Sequence, residues 1–236
     1  MDERNALIAL NMMEKVGPVG VRALMESLGS VGAVFEADEA SLRKARGVGA
    51  GTSRAIAEQR GRVDWRGEIE RAEKLGMRLV TQVDEEYPAR LKQIHDPPLA
   101  LYVKGRFMDC DRHAIAIVGT RRPSHYGRAT AERLAYGLCQ AGLSVVSALA
   151  LGIDTSANEG ALKPRGRTLA VLGSGADRIY PARNSELAER IAVQGAVLSE
   201  FPLGRAPDRT TFPMRNRIVS GLCLGVIVVE AGLSSG

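Results

Sequence analysis

Short apolar runs alternate with amphipathic stretches through the second half of the chain. The runs are rich in β-branched residues and cover residues 114–118, 143–147, 168–172, 196–199 and 225–229. Apolar residues with helical spacing lie between them, at 126–141, 155–162, 185–193 and 215–221. Buried strands that alternate with helices indicate right-handed βαβ units. The pattern therefore predicts an α/β fold with a Rossmann-like, mostly parallel, doubly wound sheet over residues 111–236.

The first 62 residues have a purely helical pattern, broken at residues 17–18, 29–30 and 47–49. The segment Gly47-Val48-Gly49 resembles the turn of a helix-hairpin-helix motif, which can present backbone N–H groups to a nucleic-acid phosphate. Residues 17–20 resemble a degraded second copy. Together they predict a small all-α, SAM-like domain, and hairpins that merely pack on each other would give the same pattern.

Residues 63–110 form a transition between the two regions. The sequence predicts a helix at 64–75, a strand at 77–83, a short helix at 87–94 and a strand at 99–103. We expect this segment to pack on the edge of the Rossmann-like domain.

The turn after the first predicted strand of that domain contains Gly119, Thr120, Arg121 and Arg122. Ligands of doubly wound folds bind at the carboxyl ends of the strands, where the next helix also points its N-terminal N–H groups. The two guanidinium groups suit phosphate oxygens. This turn predicts a phosphate site, although solvated arginines beside a tight turn would have the same sequence.

Two later segments add to this prediction. Gly173-Ser174-Gly175 follows another strand and is expected to leave backbone amides open. After the strand at 196–199, a predicted loop interleaves an aromatic ring with guanidinium groups, at Arg205, Arg209, Phe212, Arg215 and Arg217. Single-stranded nucleic acid is bound by this combination, because charge holds the backbone and a π face holds an unstacked base.

Signatures of catalysis are missing from the sequence. No G-x-G-x-x-G or Walker A segment is present, which argues against NAD and ATP. The three cysteines and three histidines have no metal-ligand spacing, so we expect reduced thiols and neither a metal nor a cofactor. Glu200 and Glu230 end strands without a His or Cys partner, and structural or capping roles are expected for both. Asp154 is expected to cap the helix that begins at Thr155.

Composition and charge leave the partner open. The 236 residues are 45% hydrophobic and 25% charged, with a net charge of +5 and a pI of about 9.3. This balance permits an acidic polymer as partner without requiring one. No apolar stretch has membrane-spanning length, and the N-terminus does not resemble a signal peptide, so a cytoplasmic location is expected.

The ordered motifs of residues 114–236 resemble the DNA-processing protein A (DprA/Smf) family. They are I-V-G-T-R with Tyr126-Gly127, Gly152-Ile153-Asp154, L-A-V-L-G-S-G-A-D with Tyr180-Pro181 and Asn184, L-S-E, and F-P-M-R-N-R-I at 212–218. The resemblance implies a non-enzymatic protein that binds single-stranded DNA. It also implies protection of incoming strands, loading of RecA recombinase during natural transformation, and a homodimer in the full-length form.

Site residues follow from the same resemblance. Arg121 would hold a phosphate, Phe212 would stack on a base and Arg209 would contact the DNA backbone, while the turn at 173–175 packs against its strand. The complete predicted DNA-binding set is Gly119, Thr120, Arg121, Arg122, Gly173, Ser174, Gly175, Arg209, Phe212, Arg215, Asn216 and Arg217.

The chain departs from the family pattern at three places. Ala148 replaces a glycine and Asn158 replaces a histidine, and the sequence stops at Gly236, where family members continue. We therefore expect a C-terminal truncation that removes the dimer surface and much of the RecA surface. Two other functions remain open: a phosphoribohydrolase-like enzyme using a carboxylate such as Glu230, and a dinucleotide-binding regulator. The chain lacks the P-G-G-x-G-T-x-x-E signature of the former and the glycine fingerprint of the latter.

Overall fold

The computed structural model describes residues 1–163 and 166–232, so the last four residues of the predicted Rossmann-like domain lie outside it. Five helices come first: α1 (Glu3–Met12), α2 (Pro18–Leu28), α3 (Val31–Glu36), α4 (Glu39–Leu42) and α5 (Ala50–Gln59). Their apolar faces meet in one core around Leu10, Leu24 and Ile56, all fully buried. The predicted helical character of this region and its breaks are confirmed.

Five more helices and seven strands follow within the described residues. They are α6 (Trp65–Lys74), β1 (Met77–Thr81), β2 (Ala100–Gly105), β3 (Ala114–Val118), α7 (His125–Gln140), β4 (Ser144–Ser147), α8 (Ile153–Leu162), β5 (Thr168–Val171), α9 (Ser185–Gln194), β6 (Ala196–Ser199), α10 (Thr211–Gly221) and β7 (Gly225–Val228). Short 3₁₀ turns lie at Leu91–Gln93, Asp109–His113 and Ala182–Asn184.

All seven strands belong to one sheet, in the order β1-β2-β6-β5-β4-β3-β7. The five strands from β6 to β7 run parallel, which confirms the predicted mostly parallel, Rossmann-like sheet. β1 and β2 extend it in antiparallel fashion, and Tyr102 of β2 pairs with Ser199 of β6. Residues 63–110 thus supply two strands to the main sheet, while the domain boundaries at 62 and 110 remain predictions.

Helices cover both faces of the sheet. On one face α7, α8 and α9 bury Ile117, Val145 and Val197, and α1 and α6 continue that layer over β1 and β2. On the other face α10 and residues 87–94 cover Val146 and Leu198. Burial on both sides explains why the four inner parallel strands, β3 to β6, are continuous apolar runs. β7, at the sheet edge, is apolar but mostly exposed. The carboxyl ends of β3, β4 and β5 consequently meet at one rim.

α10 begins earlier than the sequence predicts. The helical pattern was recognisable only from residue 215, and Phe212 was expected in a loop, whereas the helix begins at Thr211. Pro213 is compatible with this start because the first turn of a helix needs no N–H donor there. Phe212 and Arg215 are three residues apart and share one helix face, while Arg217 points elsewhere.

Candidate nucleic-acid interface

The turn after β3 is held by its backbone. The Thr120 N–H donates to the carbonyl oxygen of Glu230 at 2.7 Å, and the Thr120 carbonyl accepts from the Ile153 N–H at 3.2 Å. A Cβ on Gly119 would lie 2.7 Å from Cγ1 of Ile153, so this close approach requires glycine. Arg121 and Arg122, which come next, are exposed. The turn therefore fixes the point from which the two arginines project.

The N-terminus of α7 was expected to attract an external anion, and the structure shows a different arrangement. The Glu230 carboxylate, just after β7, accepts from the Ser124 N–H at 3.1 Å and from the Ser124 hydroxyl at 2.9 Å. A Cβ on Gly127 would lie 2.0 Å from Glu230 Oε2. The protein thus supplies its own anion to this helix end, where Ser124 is the cap and Glu230 binds it. The structural or capping role predicted for Glu230 agrees with this arrangement.

The turn after β5 supports Phe212. Gly173, Ser174 and Gly175 are buried, and the Gly175 N–H donates to the carbonyl of Arg205 at 2.8 Å, so the expectation of an open amide is wrong there. The Gly173 carbonyl accepts from the Thr211 hydroxyl at 2.5 Å. A Cβ on Gly173 would lie 2.7 Å from Cδ1 of Phe212. Glycine at 173 therefore lets the aromatic ring lie directly on the turn.

A pocket opens where these turns meet. Its lining residues come from the ends of β3, β4 and β5 and from α10: Arg121, Ala148, Ala150, Leu151, Gly173, Tyr180, Pro181, Phe212 and Arg215. The Arg121 guanidinium carbon lies 5.1 Å from the centre of the Phe212 ring. The Tyr180 ring lies 5.8 Å from the Phe212 ring, tilted by 35°. The pocket volume of about 40 Å³ accommodates a few water molecules or a small anion.

Arg215 forms the inner wall of this pocket. It is 4% exposed, and its guanidinium donates to the carbonyl oxygens of Ala148 at 2.9 Å and Val171 at 2.5 Å. Burial lowers the pKa of Arg215 to about 10, opposed by the carboxylate of Asp154 and assisted by the charge of Arg121. The group stays cationic at neutral pH. Two cations that repel each other across a pocket favour binding of an anion between them.

Asp154 has a role that the sequence did not indicate. The expected helix cap is wrong, because α8 begins at Ile153 after Gly152 and the Asp154 side chain turns back to accept from the Ala150 N–H at 3.4 Å. Burial raises the pKa of Asp154 to about 6. The charge of Arg215 and hydrogen bonds from the backbones of Ala150, Ala148 and Gly119 oppose this rise. The carboxylate thus joins the turns after β3 and β4.

The remaining predicted residues are distributed around the pocket. Arg122, Arg209 and Asn216 are exposed, and the Asn216 side-chain oxygen accepts from Nε of Arg215 at 3.2 Å. Arg217 lies outside the pocket lining, since its guanidinium pairs with Glu200 at 2.5 Å and Asp96 at 2.7 Å. The structure therefore brings Arg121, Gly173, Phe212 and Arg215 together and gives Arg217 different partners.

Two features of the pocket were not assigned a role from the sequence. Tyr180 and Pro181 line it, although in the sequence they belong only to a family motif with no assigned role. Their position, a few residues after a strand end, is the signal that points to the same rim.

Within the described residues, no cluster of His, Cys, Asp and Glu could hold a metal ion. No helix of that part of the chain has the length and apolar character needed to cross a bilayer.

Comparison with known proteins identifies the family. A model described as DNA recombination-mediator protein A matches residues 78–236. This chain belongs to that family. Protein Smf of Synechocystis sp. is 36% identical over 97% of this chain and 58% of its own length. DNA processing protein DprA of Bacillus subtilis is 41% identical over 68% of this chain and 54% of its own length. The chain thus spans little more than half of these family members.

Solved structures agree with this assignment. The X-ray structure of DprA from Streptococcus pneumoniae has a TM-score of 0.81 at 31% identity, covering 98% of this chain and 79% of the other. DprA from Helicobacter pylori, described for its single-stranded DNA binding mode, has a TM-score of 0.60 at 34% identity and covers 66% of this chain and 71% of the other. The family fold extends over nearly the whole chain.

Proposed function

We propose that this chain binds single-stranded DNA in the pocket at the carboxyl ends of β3, β4 and β5. The observation that carries the proposal is the exposed Arg121 guanidinium 5.1 Å from the Phe212 ring, with Arg215 buried behind it. A cation beside an aromatic ring offers contacts to both a phosphate and an unstacked base. The Helicobacter pylori family member, described for binding single-stranded DNA, supports the same ligand.

Within this site we assign two kinds of role. Arg121, Arg122 and Arg209 contact phosphates, Phe212 stacks on a base, and Arg215 with Asn216 completes the wall. The turns at 119–120 and 173–175 form the frame that holds these groups. Arg217 is assigned to the ion pairs with Glu200 and Asp96 rather than to DNA.

The cellular role that we propose follows from family membership. The chain would act in the cytoplasm, protect incoming single strands and help load RecA recombinase during natural transformation, as a homodimer in its full-length form. The test is RecA filament formation on a strand coated with single-strand-binding protein. We expect faster filament growth when the full-length homodimer is added, and an unchanged rate would contradict the loading role.

Retardation of a labelled oligothymidylate tests DNA binding directly. We expect binding that weakens with salt and is stronger than to duplex of the same length. Arg121→Ala should weaken binding to every sequence alike and reduce the salt slope by about 0.7, the value for one phosphate of a single strand. Phe212→Ala should remove about 1–3 kcal/mol of stacking.

Arg112→Ala is the matched control, because Arg112 is an exposed arginine just before β3, at the opposite end of the strand from Arg121. We expect it to bind like the parent. Equal affinity of the parent, Arg121→Ala and Phe212→Ala would rule out this pocket as the DNA site.

The enzymatic alternative places a carboxylate in a reactive role. Both strand-end carboxylates are engaged otherwise: Glu230 accepts from Ser124, and Glu200 pairs with Arg217. Because both carboxylates already have partners in the protein, these bonds favour a binding function over a hydrolytic one. Incubation with AMP followed by detection of free adenine tests this choice, and release of the base would overturn it.

A further inference from the structure

Tyr180 lies in the wall of the pocket with half of its side chain open to solvent. It is 50% exposed, and its ring centre is 5.8 Å from that of Phe212. Soluble proteins usually bury a tyrosine ring or its edge, so an open ring beside a proposed base site offers a binding surface. We infer that Tyr180 is a second base-stacking residue of the DNA site. This inference rests on the proposed function and names a further residue for it.

Phe212 alone offers little open surface. Gly173 lies against Cδ1 of the ring, the Arg121 guanidinium lies over it at 5.1 Å, and Tyr180 flanks it. If one base stacks on Phe212, the next base along the DNA strand therefore finds no free surface on that ring. Tyr180 is the adjacent ring that can receive that neighbouring base.

The spacing of the two rings determines how they act. A base held between two rings needs a centre-to-centre separation of about 7 Å, twice a van der Waals contact of about 3.5 Å. The observed 5.8 Å with a tilt of 35° is too short for insertion. The rings instead form one continuous aromatic surface, on which consecutive bases lie side by side.

The loop that carries Tyr180 also carries positive charge. Arg178 and Arg183 are both exposed. Arg178 lies 3.9 Å from the carboxylate of Asp177, whereas Arg183 forms no ion pair with any residue in the described part of the chain. An open ring between two exposed guanidinium groups repeats the combination found at Phe212. The strand can therefore continue from Phe212 over the loop at residues 176–183.

Affinity of three variants for an oligothymidylate tests this inference. Tyr180→Ala should lower affinity about 5- to 140-fold, the equivalent of one stacked base. Tyr180→Phe keeps the ring and should bind like the parent. Tyr136→Ala is the control, because Tyr136 is 45% exposed but lies in the C-terminal half of α7, away from the pocket lining. It should have no effect.

The outcomes separate this inference from the proposed function. If Arg121→Ala weakens binding and Tyr180→Ala does not, Tyr180 is no stacking residue and the DNA site stands. If neither variant weakens binding, the DNA site itself is wrong.

A second measurement needs no variant. An oligothymidylate containing 5-iododeoxyuridine is bound to the parent and irradiated, and the crosslinked peptide is identified by mass spectrometry. Crosslinks at Tyr180 are expected, because stacked aromatic residues react efficiently with this base. Crosslinks confined to other residues would contradict the inference.

Discussion

At the residue scale, the contact between Gly173 and Phe212 determines the shape of the pocket. Alanine at 173 would place a methyl group 2.7 Å from Cδ1 and 3.2 Å from Cε1, so the ring must move. We expect Gly173→Ala to lose DNA affinity by about 1–3 kcal/mol, like removal of the ring. The electrophoretic mobility shift of a labelled oligothymidylate measures this affinity.

The control for this substitution is Gly137→Ala in α7, where nothing lies within 4 Å of the added methyl group. That change should leave DNA affinity intact and stabilise the helix by about 0.5–1 kcal/mol. Unchanged affinity in Gly173→Ala would show that Phe212 tolerates displacement.

Asp154 should give the folded protein a pH dependence. Its pKa is raised from 3.8 to about 6 by burial, so the folded state holds this proton more tightly than the unfolded state. Its stabilising contribution is complete below pH 3.8 and is lost as pH rises through about 6. Two pKa units correspond to about 3 kcal/mol.

Comparison with Asp154→Asn isolates this contribution, because asparagine does not titrate. The free energy of unfolding of the parent minus that of the variant should fall by about 2 kcal/mol between pH 4 and pH 7, because pH 4 already lies above the unfolded pKa of 3.8. Urea unfolding across this range measures it. A difference that does not vary with pH would show that the carboxyl titrates normally.

The sequence predicted which residues line the pocket, but it did not predict the partners that surround them. Arg121, Phe212 and Arg215 belong to motifs at strand ends, and such residues meet at one rim of a parallel sheet. Asp154 was misread because a carboxylate before a helical pattern resembles a cap. Its hydrogen bond partners, Ala148 and Gly119, come from two other turns, and no local pattern reveals such contacts.

At the element scale, α7 depends on a residue a hundred positions away. Glu230 binds the N–H and hydroxyl of Ser124, and Ser124 in turn accepts from the Gly127 N–H at 3.0 Å. We expect Glu230→Ala to fray the first turn and to cost about 1–2 kcal/mol of stability, since it removes the carboxylate that holds the Ser124 cap in place and a favourable charge.

Amide hydrogen exchange of residues 124–128 and urea unfolding measure this effect. The control is Glu186→Ala in the first turn of α9, where the side chain is exposed and no hydrogen bond of the described residues involves it. Its cost should be at most a few tenths of a kcal/mol. Equal exchange in the parent and Glu230→Ala would contradict the capping role.

Elements were predicted with different success for physical reasons. The four inner parallel strands matched their apolar runs because burial on both faces leaves few polar positions in them. β7 matched its run as well, although it is mostly exposed at the sheet edge. The start of α10 was missed by four residues because Phe212-Pro213 resembles a loop. The turns were misjudged most, since the partners of Gly175 and Ser124 lie far along the chain.

At the scale of the whole molecule, Arg217 connects three segments. It pairs with Glu200 after β6 and with Asp96 in the segment before β2, while itself lying on α10. Glu200 is 8% exposed, and burial raises its pKa against the effect of Arg217. We expect Arg217→Ala to lower the free energy of unfolding by about 3 kcal/mol, because it leaves a buried carboxylate unpaired.

Arg209→Ala is the variant with which Arg217→Ala is compared, because the opposite effects on DNA affinity and stability are expected. Arg209 is exposed and forms no ion pair within the described part of the chain. Its replacement should weaken DNA binding with little change in stability, whereas Arg217→Ala should do the opposite when affinity is measured well below its melting temperature. Unfolding and retardation of both variants test this, and equal losses of DNA affinity would return Arg217 to the binding site.

The carboxylate at the start of α7 has a consequence for how affinity can change. Because that helix end and the Gly175 amide already have partners within the protein, the proposed attraction for a DNA strand would rest on side chains that project from this frame. Individual outward side chains can then be exchanged through evolution or engineering to adjust how tightly a strand is held, while the sheet beneath folds as before. If the proposed function is right, DNA affinity and folding stability are therefore expected to vary independently at these exposed positions.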